Sequence, residues 1–403
     1  MRRKRSPPIS DFSMRVLVLD TIHGGDDIAA ALRRRGDEAD AVDVYRGSGF
    51  SAEAAAARSY DRVTAPVHLP PSYPLLAKAP VVTHHEMVRE LCVPPKCAVE
   101  ITGARGKTTT AFALAHLMNG CGILHTSSGT FCMPERRLLW RKSITPASVI
   151  AACDAAHSCG AEWLIAEESV GVAGFGTLAI LTSADDYPVA GGAKSALAEK
   201  CRSLAAAARV LVPRGVPVQD NWYGIEELVS VSGDVLSWDG GAVKNPLLSL
   251  AGYRAALSAA AAAGLLLGLS PGRLADFTAL PGRMHLADAD GVPVLDNANS
   301  GTNADTTIEA AAYLRRMRPG LPVVLVIGME HHAVCEGFPE EEIRRAVRAI
   351  RPAHLVVLGS TASGAVVPDA DAVCTTLSEA KDAAAALAKT AGGAVLLAVK
   401  TWR

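Results

Sequence analysis

The chain has 403 residues, enough for two or three domains, and 49% of them are hydrophobic, so a sizeable core can be buried. A formal net charge of −1 gives no electrostatic reason to expect a nucleic acid or an anionic membrane as partner. Nine cysteines, scattered and without a Cys-x-x-Cys pair, argue against a disulfide framework or a zinc ribbon and for reduced thiols in the cytoplasm.

Residues 1–13 are basic and rich in Pro and Ser with no apolar stretch, the composition of a disordered tail and not of a signal peptide. Met14, directly before an apolar strand, is a candidate start of the folded protein. Residues 15–20 form a short apolar run, followed by a Gly24-Gly25 turn, helical spacing over 26–35 and a second strand over 38–44. This strand–helix–strand rhythm predicts a parallel α/β sheet. A Pro-rich stretch over 66–80 continues the unit, and Pro94-Pro95 marks a hinge, which bounds an N-terminal domain at 14–96. His23 and Gly24 lie at the carboxyl end of the first strand, where open α/β sheets bind ligands, and are expected to contact substrate. His84 and His85 are further candidates. Read as neighbours on a strand, they point to opposite faces and do not easily serve one site.

A second domain, 97–279, opens with a strand over 97–102, a glycine loop and a helix over 108–118. Apolar runs at 163–166, 178–182 and 210–212 supply further strands, and 246–268 reads as a long, buried, Ala-rich helix. The apolar part of that segment, interrupted by Gly264 and Gly268, falls short of the roughly 18 residues a membrane span needs. A third domain, 280–403, begins at the turn Pro281-Gly282-Arg283. Strands are expected at 292–296, 323–327, 355–358 and 394–399, with helices at 305–316, 339–350 and 378–391 between them.

The strongest chemical signal is Thr102-Gly103-Ala104-Arg105-Gly106-Lys107-Thr108-Thr109, which leaves an apolar strand and opens a helix. Glycines let backbone N–H groups turn toward phosphate oxygens, and the helix N-terminus adds a favourable dipole. Lys107 can reach the outer phosphates, and the Thr108 hydroxyl can hold magnesium. ATP and Mg²⁺ are the expected cofactors, with Gly103, Ala104, Arg105, Gly106, Lys107, Thr108 and Thr109 as the nucleotide cradle. The loop is shorter than the general Walker spacing, because Ile101 stands five residues before Gly106.

The spacing of this loop resembles that of the Mur ligases and folylpolyglutamate synthases, and other segments appear in that family's order. Thr145-Pro146 is similar to its Thr-Pro element, and Ala166-Glu167-Glu168-Ser169 to its Glu-x-Ser motif. The resemblance implies that Glu167, with Glu168 in reserve, helps bind magnesium. Lys200 matches the lysine that is carbamylated in many Mur ligases. Pro281-Gly282-Arg283-Met284-His285 and Asp296-Asn297-Ala298-Asn299-Ser300 resemble later motifs, which implies nucleotide contacts for Arg283, Asp296 and Asn299. The fold implied by this resemblance is an α/β, three-domain Mur-ligase-like architecture: a P-loop central domain with a parallel sheet, flanked by Rossmann-like N- and C-terminal domains. Departures are visible. Tyr187 replaces a metal-binding His, so an oxygen ligand would have to come from Asp185 or Asp186; His285 replaces a Glu, Asn299 a His, and Gly252-Tyr253-Arg254-Ala255 lacks the family's Asn.

The N-terminal segments resemble one branch more sharply. Residues 17–25, 42–46, 66–70 and Thr83-His84-His85-Glu86 are together similar to the coenzyme F430 synthetase family of methanogenic archaea. That resemblance implies a nickel-tetrapyrrole substrate, a propionate activated as an acyl phosphate, and attack by a ring-side carbon to close a carbocycle. It implies no nucleic-acid or membrane partner and a cytoplasmic monomer or homodimer. The attacking carbon needs a base, and His23, His84 and His85 are candidates by residue type. His331-His332 after Gly328 is expected in a loop near the nucleotide. Three alternatives stay open: an amide ligase adding an amino acid to a pseudomurein, folate or similar acceptor; a P-loop module that switches without ligating; and a tetrapyrrole carrier with a vestigial loop.

Overall fold

The computed structural model describes residues 13–299, 301–330, 338–359 and 370–401, in two units that divide between Phe277 and Thr278. His331 and His332 lie outside the described residues.

The first unit begins with β1 (Arg15–Leu19), α1 (Asp26–Arg35), β2 (Glu38–Val42), α2 (Ala52–Ala56), β3 (Arg62–Ala65) and β4 (Val81–Thr83). The four strands pair in parallel in the order β2-β1-β3-β4. Alternate residues of β1 feed two cores: Val16 and Val18 pack with Ile28 and Leu32 of α1, whereas Leu17 and Leu19 pack with Val42 and Val63. Burial on both faces is why this strand reads as an unbroken apolar run.

The sequence pattern puts His84 and His85 on a strand; they instead open α3 (His84–Leu91). The Thr83 hydroxyl accepts from the Glu86 N–H (3.1 Å) and Glu86 Oε2 accepts from the Thr83 N–H (2.6 Å), a capping box that fixes the helix start here.

β5 (Cys97–Thr102) leads through the glycine loop into α4 (Lys107–Leu117). Then come β6 (Gly122–Thr126), β7 (Gly129–Met133), β8 (Arg137–Trp140), α5 (Ser148–Ser158), β9 (Trp163–Glu167) and β10 (Leu178–Leu181). β5 sits at the middle of an eight-stranded sheet, between β9 and β10, and pairs with both in parallel. Val210–Val212 and Trp222–Gly224 extend the parallel part on one side. On the other, β6, β7 and β8 form an antiparallel edge that apolar runs do not reveal.

The expected helix over 246–268 is a short turn at Pro246–Ser249 and then the helix Ala251–Leu266. Ala259 through Ala263 are all buried, and small side chains let this helix lie close against α4, where Gly264 faces Leu117. A three-stranded antiparallel meander over 229–244 is likewise not legible in the sequence pattern.

The second unit is a six-stranded sheet with helices Ala304–Met317, Glu340–Ile350 and Leu377–Ala391. Its strand order is His285–Ala289, Val292–Asp296, Ala394–Lys400, Val323–Met329, His354–Leu358 and Ala372–Cys374. Only the first pair is antiparallel. Among the described residues, no helix is long and apolar enough to cross a membrane, and all eight cysteines are free.

Candidate active site

The phosphate loop is shaped by two glycines in conformations that side chains rarely adopt, Gly103 at φ +147 and Gly106 at φ +81. A Cβ on Gly103 would collide with the Thr182 hydroxyl. Thr182, directly after β10, donates to the Arg105 carbonyl at 2.5 Å. The Ser183 hydroxyl accepts from the N–H groups of Ala104 and Arg105 at 3.1 and 3.3 Å. The neighbouring strand end thus braces the loop. Sequence reasoning misses this role of Thr182 and Ser183, since a hydroxyl after an apolar strand has no distinctive spacing.

Lys107 Nζ donates to the Gly103 carbonyl at 3.0 Å and stands 3.9 Å from Glu167 Oε1. The Thr108 hydroxyl reaches both Glu167 oxygens at 2.9 and 3.1 Å and lies 3.0 Å from the Ser127 hydroxyl. The Ser127 N–H completes the cluster by donating to Glu167 Oε2 at 3.0 Å. Glu167 is buried because it ends β9, beside the strand that delivers the loop. Sequence reasoning brings Lys107, Thr108 and Glu167 together but misses Ser127.

Glu168 belongs to a different place. Adjacent residues at a strand end face opposite ways, and its carboxyl is fully buried against Glu100, with the Ala173 N–H donating to it at 3.1 Å. Glu100 in turn accepts from Gly174 and Gly176 at 2.8 and 2.6 Å. Burial, then the Glu100 charge, raises the Glu168 carboxyl well above the usual range. The structure thus places Glu168, the reserve candidate for magnesium, in the core beside Glu100 and not with the Thr108, Ser127 and Glu167 cluster. Asp185 faces Arg105 across 3.6 Å of exposed surface.

Lys200 is fully buried on the helix Ala196–Leu204, and its ammonium has no hydrogen-bond partner among the described residues. Nζ lies 4.5 Å from the centre of the Tyr187 ring, so the residue that replaces the expected histidine holds the lysine through a cation–π contact. Burial, and after it repulsion from Lys107, lowers the Lys200 amine to about 8.

A second constellation lies at the carboxyl ends of the parallel strands β1 to β4. Asp20 comes after β1, Tyr45 after β2, His68 after β3, and His84 and His85 after β4. His23 Nδ1 is 2.5 Å from Asp20 Oδ2, and the Asp20 carboxylate also accepts from the His23 N–H at 3.1 Å. His68 Nε2 is 3.3 Å from the same Asp20 oxygen, and its ring meets that of His23 edge-on at 4.7 Å. Burial works to raise the Asp20 carboxyl, but the hydrogen bond from His23 and the nearby His68 imidazole outweigh it and hold the group well below the usual carboxylate range. That same bond raises His23.

His23, His68, His84, His85, Thr145, Pro146 and Ser169 line a cavity of about 250 Å³. On a helix start, neighbours diverge by about 100°, not 180°, so both His84 and His85 border one cavity. The expectation that they could not do so is corrected. Burial lowers His84 to about 3 and His85 to about 4; His85 Nε2 is 3.1 Å from the Ser169 carbonyl. Gly24, at φ +94, packs on Ala147, and an added Cβ would come within 2.5 Å of the Ala147 Cβ. Glycine is thus required where the first sheet meets the Thr145-Pro146 segment. Because Ser169 stands two residues beyond Glu167, one short segment borders both constellations.

In the second unit, Asn299 Nδ2 donates to the Gly282 carbonyl at 2.7 Å, tying the end of Val292–Asp296 to the turn that carries Arg283. Asp296 Oδ1 accepts from the Ala298 N–H at 3.1 Å. Asp296 pairs across the antiparallel strands with His285, and both line a cavity of about 350 Å³ against the helix Leu377–Ala391. Asn299 serves as a local brace.

The family model "Coenzyme F430 synthetase CfbE, C-terminal domain" matches residues 286–401. The coenzyme F(430) synthetase of Methanosarcina acetivorans is 29% identical, covering 86% of this chain and 90% of that one. A MurF-type ligase from Acinetobacter baumannii, UDP-N-acetylmuramoylalanyl-D-glutamyl-2,6-diaminopimelate--D-alanyl-D-alanyl ligase, superposes with a TM-score of 0.54. It is 15% identical, over 84% of this chain and 81% of that one. The MurF ligase of Thermotoga maritima, solved with ADP, gives 0.51 at 14% identity over 85% of each chain. These likenesses show a Mur-ligase architecture, in a chain similar along most of its length to a coenzyme F430 synthetase.

Proposed function

We propose that the chain activates a propionate carboxylate of a nickel tetrapyrrole seco-acid as an acyl phosphate and closes a carbocyclic ring onto it, giving coenzyme F430, ADP and phosphate. The observation that carries this reading is the Lys107–Thr108–Glu167–Ser127 cluster on the braced glycine loop. It combines a cation, two hydroxyls and a buried carboxylate where a helix N-terminus meets a strand end.

A carboxylate is a poor electrophile, and phosphorylation gives it a leaving group. The phosphoryl group in transfer carries dispersed negative charge, which Lys107 and the loop N–H groups are placed to stabilise. The Thr108 and Ser127 hydroxyls and the Glu167 carboxylate form a hard-oxygen set within about 3 Å, which fits Mg²⁺. When bound, the ion would neutralise phosphate charge. Lys200, with its lowered amine, has enough neutral form near pH 8 to react with carbon dioxide, so carbamylation fits its site. Arg283 and Asp296 are assigned to the nucleotide by resemblance. His23, Gly24, His84 and His85 are assigned to the tetrapyrrole edge, because they line or adjoin one cavity at the ends of the first sheet.

Incubation with ATP, Mg²⁺ and the seco-acid should give a product lighter by one water. Lys107→Ala and Glu167→Ala should each reduce its formation by at least 10²-fold with unchanged circular dichroism. Near-normal turnover in both variants would refute the assignment. An amide product formed only when an amino acid is supplied would establish the amide-ligase alternative instead.

A further inference from the structure

By residue type alone three imidazoles are equal candidates for the base that ring closure needs, and the structure separates them. His84 borders the same cavity but is only 1% exposed, and among the described residues neither of its ring nitrogens has a hydrogen-bond partner. His85 directs Nε2 to the Ser169 carbonyl and is likewise buried. His23 differs on both counts. Its side chain is 43% exposed and lines the cavity, and its Nδ1 is bound to the fully buried Asp20 carboxylate.

An acceptor carboxylate on Nδ1 fixes the proton there in the neutral ring and leaves the Nε2 lone pair facing outward, as in carboxylate–imidazole pairs generally. Asp20 is itself held by the His23 N–H and by its place at the end of β1, at φ +78. The location supports the same conclusion. In the order β2-β1-β3-β4 the chain reverses direction across the sheet between β1 and β3, and ligands of open α/β sheets bind at such switch points, outside the carboxyl ends. His23 comes after β1 and His68 after β3.

We propose that His23, positioned by Asp20, is the base that takes the proton from the attacking carbon; this rests on the ring-closing reading above. The carbon's C–H bond breaks and its proton passes to His23 Nε2. The electron pair forms the new C–C bond to the acyl carbon, and the acyl C–O bond breaks as phosphate leaves with its pair. The cavity, at about 250 Å³, is below the roughly 300–1,000 Å³ of whole-ligand pockets, which suits the reacting edge of a macrocycle. A metal reading of Asp20, His23 and His68, whose ligand atoms lie within 4.8 Å of one another, fits less well. Two atoms each about 2.1 Å from one tetrahedral ion stand roughly 3.4 Å apart, whereas Asp20 and His23 are at 2.5 Å.

The test uses the full chain with ATP, Mg²⁺ and the seco-acid, with and without hydroxylamine, which traps acyl phosphates as hydroxamates. In His23→Ala, ring closure should fall by about 10²- to 10⁴-fold, hydroxamate formation should fall far less than closure, and added imidazole should restore part of the closure. Asp20→Asn suits the left-handed backbone and removes the charge that holds the tautomer. Its closure rate should fall, and its low-pH limb should move to lower pH. The groups facing His23 that could set that limb are Asp20, Tyr45 and His68, with His84 and His85 bordering the same cavity. Full closure by His23→Ala would overturn the proposal. So would loss of hydroxamate together with closure, or stoichiometric binding of Ni²⁺ or Zn²⁺ alone that His23→Ala abolishes. If the wild type yields neither hydroxamate nor product, the ligase reading itself fails.

Discussion

At the scale of single residues, the proposed site includes a side chain that the fold would be more stable without. Lys200 is fully buried with no hydrogen-bond partner among the described residues, and an amine lowered from 10.5 to about 8 reflects the cost of charging it there. A group whose folded value lies below its unfolded one weakens the fold as pH drops from the unfolded value to the folded one. Here that loss develops between about 10.5 and 8 and persists below it. The shift corresponds to about 3 kcal/mol. Lys200→Met should therefore raise the melting temperature at pH 7 by several degrees while abolishing ligation; a variant that melts lower would show that the ammonium stabilises its site. The lysine, like Lys107 and Glu167, is legible in the sequence because it stands in a short motif. Asp20 and Ser127 are not, since their roles depend on strand ends that meet only in three dimensions.

At the scale of elements, strands β5 and β9 carry a polar pair under the phosphate loop. Glu100 and Glu168 are both fully buried, and burial raises both carboxyls above the usual range. A raised carboxyl contributes stability at low pH that is lost as pH rises toward its folded value. Glu168→Gln, which mimics the protonated acid, should retain fold and activity and gain stability over the wild type as pH rises. Glu168→Ala leaves the Ala173 N–H without its acceptor and should cost about 1–3 kcal/mol. Thermal melts of the three proteins across pH 5–9 would check this. If Glu168→Gln lost ligation without losing stability, Glu168 would have to act in the chemistry.

The same scale shows which elements a sequence reveals. Parallel strands buried on both faces, such as β1 and β5, appear as apolar runs between glycine turns. The edge strand β8 and the meander over 229–244 are short and half-exposed, and their pairing is set by partners. The start of α3 is hidden because Val81-Val82-Thr83 continues smoothly into His84. Only the capping contact between Thr83 and Glu86 ends the strand there.

At the scale of the molecule, the α/β alternation and the order of motifs along the chain are enough to expect Mur-ligase architecture, and the superposed ligases show it. Substrate identity is less accessible, because the cavity proposed to take the tetrapyrrole edge is assembled from separate strand ends and not from a contiguous motif. The central claim is that a carboxyl oxygen of the substrate receives the terminal phosphoryl group of ATP. It is tested most directly by supplying the seco-acid labelled with ¹⁸O in its propionate carboxylate and analysing the released phosphate by mass spectrometry. Formation of an acyl phosphate places one labelled oxygen in each phosphate released with product. Product formed with unlabelled phosphate would contradict it.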